Sequence, residues 1–139
     1  MAENKAENKT VNTSGKRKTA VARASIKAGT GIVRINSVPL QTYGPELARF
    51  KIMEPLALAP EMAAKVDIDV SVAGGGIMGQ AEAVRTAVAK AIVEFFGDEE
   101  LGKAFKHYDR SLMISDIRRK LPKKPLGRGA RKKRQKSYR

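Results

Sequence analysis

Residues 66–96 read VDIDVSVAGGGIMGQAEAVRTAVAKAIVEFF, and the fold turns on how this stretch is read. Val66, Ile68, Val70 and Val72 alternate with Asp67, Asp69, Ser71 and Ala73, which is the period of a half-buried strand. Gly74-Gly75-Gly76 breaks it. From about Gly79 to Phe96 the period becomes helical. Ala81, Val84, Val88, Ala91, Ile92 and Phe95 point inward, while Glu82, Arg85, Lys90 and Glu94 point out. Gly97 ends this helix, and Asp98 can cap a further short one carrying Leu101, Ala104 and Phe105.

Upstream, Ala20, Ala22, Ala24 and Ile26 alternate with Val21, Arg23, Ser25 and Lys27. With the turn Ala28-Gly29-Thr30-Gly31 and a return strand Ile32–Ile35, they predict a hairpin. Asn36 to Thr42, with Pro39, is a loop. Gly44-Pro45-Glu46 starts a helix that Pro55 should end, and a short turn or helix covers Leu56 to Ala64. Leu112 to about Leu121 is ambiguous, a final strand being one reading. Residues 1–14 (MAENKAENKTVNTS) are too polar to fold and read as disordered. The resulting division is a 1–14 extension, a 15–117 globular domain and a 118–139 tail. The order β, β, α, β, α, β predicts an α+β two-layer sandwich. Its sheet is mixed and four-stranded, with helices on one face and the long helix as a crossover between strands. General sterics favour a right-handed crossover.

Charge is concentrated in one segment. Net charge is +14, from 28 Lys+Arg against 14 Asp+Glu. The last acid is Asp116, and residues 118–139 hold 12 cations and no anion, which leaves 1–117 at +2. Such a segment needs a polyanion to neutralise it. The tail is apolar-poor and broken by Pro122, Pro125, Gly127 and Gly129, so it should order only on a partner. Arg suits bidentate phosphate contact, Lys is a mobile point charge, and Tyr138 offers a face for stacking. If six of the 12 cations meet phosphates of irregular RNA, affinity falls roughly 300-fold between about 50 and 200 mM salt.

Other chemistry is poorly supported. The chain has no Cys and one His, His107, which excludes thiolate metal sites and Cys nucleophiles. Neither a cofactor nor a metal is expected. No secretory signal or membrane-length apolar run is visible. Gly74-Gly75-Gly76-Ile77-Met78-Gly79 satisfies G-x-G-x-x-G between strand and helix, but the chain about 20 residues on is Asp98-Glu99-Glu100 at a helix junction, not the acid ending a strand. The loop reads instead as a structural turn or as a place where backbone N–H groups approach a nucleic-acid phosphate. Gly97–Ala104 misses the P-loop pattern at Ala104 and carries three carboxylates where phosphates would sit. His107 next to Asp109 reads as packing or RNA contact, and Asp67 with Asp69 as a solvated sheet face.

Two sets of motifs carry a family resemblance. One is Gly15-Lys16-Arg17-Lys18-Thr19-Ala20-Val21-Ala22, Asn36 with Pro39, and Gly75-Gly76-x-x-Gly79-Gln80 before a helix with Arg85. The other is Asp109-Arg110-Ser111-Leu112, Lys123-Lys124, Gly129-Ala130-Arg131 and the terminal Gln135-Lys136-Ser137-Tyr138-Arg139. Together, over about residues 15–139, they resemble the family of the ninth small-subunit ribosomal protein in its archaeal and eukaryotic form. The resemblance implies a fold shared with the second domain of another small-subunit protein and with small-molecule kinases, with a left-handed βαβ crossover. It implies a non-enzymatic, cytoplasmic ribosome component bound to rRNA in the head of the small subunit, beside neighbouring head proteins.

The resemblance also implies site residues. Lys16, Arg17, Lys18, Gly75, Gly76, Gln80, Arg118, Arg119, Lys123, Lys124, Arg128, Arg131, Lys132, Lys133 and Arg134 are the expected rRNA contacts. Arg139 is the expected leading contact to P-site tRNA, supported by Lys136, Ser137 and Tyr138. Where the family has Asp-Pro-Arg, this chain has Asp116-Ile117-Arg118, which frees the backbone at the tail's root. The rival readings are a free-standing RNA-binding protein or RNA chaperone, and a nucleotide-dependent enzyme using Gly74–Gly79.

Overall fold

The computed structural model describes residues 9–138. It is an α+β two-layer sandwich, as expected, but its sheet has five strands and not four. The strands are β1 (Val11–Arg17), β2 (Ala20–Ala28), β3 (Val33–Ile35), β4 (Val38–Pro39) and β5 (Val66–Ala73), in the order β1-β2-β5-β3-β4. The helices are α1 (Glu46–Leu58), α2 (Pro60–Ala63), α3 (Ile77–Phe96) and α4 (Glu99–Tyr108).

The strand beginning at Val66 holds the centre, as its pattern demands. Val66, Ile68, Val70 and Val72 are all buried. It pairs antiparallel with β2 from Val21↔Ala73 to Ala28↔Val66, and parallel with β3 at Ile35↔Val70. The expected hairpin of the two upstream strands is therefore absent, because β5 lies between them. The Gly29–Gly31 turn wraps the end of β5 instead. Gly29 N donates to Lys65 O (3.0 Å), and the Asp67 carboxylate accepts from Thr30 N (2.8 Å) and Ile32 N (3.1 Å). Asp67 is thus a fastening, and those two N–H groups hold its carboxyl below the usual range.

The crossover is also relocated. Parallel β3 and β5 are joined through α1 and α2, whereas α3 runs on into α4. No strand follows among the described residues; only Asp116 touches the sheet, as a parallel bridge to Arg17. Pro55 does not end α1. It is buried inside the helix, where packing offsets the backbone hydrogen bond it cannot donate.

The disordered reading of 1–14 fails from Lys9 onward, while residues 1–8 lie outside the described residues. Lys9 Nζ donates to Phe95 O (2.7 Å) at the carboxyl end of α3, where the helix dipole favours a cation. β1 then pairs with β2 from Val11↔Ile26 to Arg17↔Ala20. Its core-facing residues are Thr13 and Gly15. A Cβ on Gly15 would sit 2.1 Å from Ala83 O, so α3 crosses β1 with room for no side chain. Thr13 Oγ1 donates to Ala87 O at 2.8 Å. The helix ends as predicted, Gly97 adopting φ 68°, and Asp98 accepts from Glu100 N and Leu101 N to cap α4.

Candidate nucleic-acid interface

The β1–β2 turn and the glycine loop are stacked on each other. Gly74 and Gly75 have φ 77° and 70°, and their missing side chains admit Thr19 O and Ala20. A Cβ on Gly74 would lie 2.5 Å from Thr19 O, so these two glycines are structural. Gly76 differs: its φ is −99° and a Cβ there would meet nothing within 4 Å. It opens α3, whose first turn has neither a side-chain cap nor an acidic residue. The result is a groove of about 310 Å³ lined by Arg17, Lys18, Thr19, Gly75, Gly76, Met78, Gly79 and Glu82. Lys18 is exposed on its wall, and Lys16, exposed one residue before Arg17, lines the neighbouring cavity of Arg17 and Glu82. Uncapped N–H groups with neighbouring lysines suit a phosphate.

Gln80 is committed within the fold. Its Nε2 donates to Gly74 O (3.1 Å), and its Oε1 accepts from the Tyr43 hydroxyl (3.3 Å). Its place is to brace the loop. Arg17 is committed too, donating to Glu82 Oε2 (2.5 Å) and to Asp116 Oδ2 (2.9 Å).

Asp116 organises the tail's root. It accepts from Arg118 N (2.9 Å) and pairs with the Arg118 guanidinium (2.7 Å), as well as with Arg17. The Arg118 side-chain bond, its N–H and its charge hold the Asp116 carboxyl at about 2. The expected loosening from the missing proline is thus countered: the Asp116 side chain closes the turn that the ring would have stiffened. Ile117, in the proline's place, is 91% exposed and takes no part.

Beyond Arg118 the chain is exposed, with one folded feature. Arg128 N donates to Lys132 O (3.0 Å), Gly127 N donates to Lys124 O (3.3 Å), and Gly127 bridges Lys133 antiparallel. A Cβ on Gly127 would lie 2.9 Å from Lys132 O, which explains the glycine. This loop sets Lys123, Arg128, Lys132, Lys133 and Arg134 around one concavity of about 550 Å³. Lys124 and Arg131 line a second concavity that shares Lys132, Lys133 and Arg134 with the first, and Arg119 lies exposed nearer the root. Backbone bonds thus close a loop over Lys124–Lys133 within the tail. Lys136, Ser137 and Tyr138 are exposed; Arg139 lies outside the described residues.

Arg85 was expected to face outward and is buried. Its Nη2 reaches Asp109 Oδ2 (2.8 Å) and forms an ion pair with Glu54, while Nη1 donates to Ser111 Oγ (3.0 Å). The Glu54 contact is ionic without hydrogen-bond alignment. Burial pushes the Asp109 carboxyl up, but bonds from Ser111 and Arg85 outweigh it and leave it below its ordinary value. Asp109 is thereby unavailable to His107, which is exposed, so packing does not account for that histidine. Among the described residues no cluster of metal-ligating side chains occurs, and no helix is long and apolar enough to cross a membrane.

The family model described as ribosomal protein S9/S16 matches residues 15–139. The chain belongs to the ribosomal S9 family. This S9-family chain is 58% identical to small ribosomal subunit protein uS9 of Methanothrix thermoacetophila, over 94% of this chain and 99% of that protein. It is 57% identical to uS9 of Thermoplasma volcanium, over 91% and 96%, and 54% identical to uS9 of Halobacterium salinarum, over 92% and 98%. These archaeal relatives agree with the archaeal and eukaryotic form of the terminus. The S9-family chain is therefore a structural ribosomal component of the cytoplasm and not an enzyme, which sets aside the nucleotide-enzyme reading of Gly74–Gly79.

Proposed function

We propose that the chain binds rRNA in the head of the small subunit at two places and extends its tail tip to P-site tRNA. The acid-free tail, pinned at its root by Asp116, is the observation that carries this reading. The first rRNA contact is the groove of Lys16, Lys18, Gly75 and Gly76, with Arg17 and Gln80 holding its walls. The second is the root and loop: Arg118, Arg119, Lys123, Lys124, Arg128, Arg131, Lys132, Lys133 and Arg134. Phosphate contacts of this kind fix position and carry little sequence information, so placement comes from the folded domain and RNA shape. Lys136, Ser137, Tyr138 and Arg139 then meet the tRNA anticodon-stem backbone.

Deleting Lys136–Arg139 tests the last step. The truncated chain should sediment with small subunits as the parent does, while those subunits release P-site tRNA faster. Equal tRNA retention would refute the tip's role. A full-length chain found mainly outside ribosomes would favour a free-standing RNA binder or chaperone.

A further inference from the structure

We propose that the solvent face of α1 docks a second, basic ribosomal protein. This rests on the ribosomal placement proposed above. Leu47, Phe50, Met53 and Ala57 recur at three- and four-residue steps along one side of the helix, all exposed. Leu47 is 63%, Phe50 57% and Met53 47% accessible. The opposite side, through Ala48, Ile52 and Pro55, is already buried in the core. The helix is thus apolar on both sides, the pattern of an element buried on both sides.

Charge selects the occupant. The exposed charged residues of α1 and α2 are Glu46 and Glu61, both acidic, in a chain of net charge +14. The cations of α1 are half-buried: Lys51 pairs with Glu82 (3.5 Å), and Arg49 donates to Gly44 O (3.2 Å) while keeping its charge. RNA phosphate would meet two exposed carboxylates there against one half-buried guanidinium, which opposes binding. A second copy is disfavoured as well, because a two-fold contact would set each acidic rim against its twin. An apolar surface fringed with Lys and Arg satisfies both features: it covers the stripe and neutralises Glu46 and Glu61.

The test replaces Phe50 with benzoylphenylalanine in the full-length chain, incorporated into small subunits in cells. Sedimentation first establishes that the chain is in the subunit; its absence there would overturn the ribosomal placement and this proposal with it. Irradiation of purified subunits should then join position 50 to a peptide of another small-subunit protein, with Lys or Arg flanking the contact. Crosslinks to RNA, to a second copy, or none from a chain present in the subunit would overturn the docking proposal alone. As a second variant, Phe50→Glu with Met53→Glu leaves the core untouched and should melt like the parent. With the crosslinker at position 47, it should cut the protein product about tenfold or more, since two carboxylates would enter an apolar contact. An undiminished product would overturn the proposal.

Discussion

Arg85 shows how one side chain can join three segments. Its guanidinium meets Glu54 of α1 and both Asp109 and Ser111 after α4, and its own side chain is 8% exposed. Arg85→Met should strand two carboxylates near each other. Fully dry pairs cost roughly 3–5 kcal/mol when one partner is removed. Glu54 and Asp109 remain about a third exposed, so we expect a loss of about 2–3 kcal/mol in urea unfolding. Arg85→Lys should recover little, since a point charge cannot span the set. Full recovery by Lys would refute the geometry. The sequence concealed this burial because helical periodicity places Arg85 on the polar side.

Among the elements, legibility followed side-chain pattern. β5 and α3 could be read because their apolar periods are clean, and the α4 cap because Asp98 stands where a cap is needed. β1 could not be read: α3 lies so close that Gly15 must face it, and a strand whose core residues are Thr13 and Gly15 has no apolar period. The false hairpin arose because a Gly-rich turn reports a reversal but not the partner, and the more apolar β5 took the central place. The glycine loop divides similarly. Gly75→Ala should destabilise by roughly 1–2 kcal/mol, the cost of a side chain in the left-handed region. Gly76→Ser should melt within about 0.5 kcal/mol of the parent, since Ser caps a helix as well as Gly. It should nonetheless weaken RNA binding by filling the groove. Thermal melts with filter binding check both, and unchanged RNA affinity in Gly76→Ser would count against the groove.

For the molecule as a whole, three aspartates fasten turns and the root of the tail. Asp67 ties the β2–β3 turn to β5, Asp109 ties the end of α4 to α3, and Asp116 ties the tail to β1. All three carboxyls lie below their ordinary value of 3.8 in the folded chain, Asp116 at about 2. A depressed folded value means that each stabilises fully above the unfolded value, and that the contribution fades as pH falls through the folded one. Urea midpoints should therefore drop as pH falls from about 4 towards about 2. Asp116→Asn should start lower and fall less steeply across that window. Equal steepness would refute Asp116's share. The tail's charge was fully legible in the sequence, but its pin was not, because Asp116 looks like an ordinary last acid until Arg17 is brought beside it.

That pin makes the tail a leash of fixed origin. The 22 residues after Ile117, drawn straight, reach at most roughly 70 Å. The loop at Lys124–Lys133 reels part of that length in. The tip therefore searches a bounded volume around a stationary point, where its local concentration is on the order of millimolar. A contact too weak to form between free molecules can be well occupied under such confinement. A few terminal residues can then serve a transient ligand and still let it go.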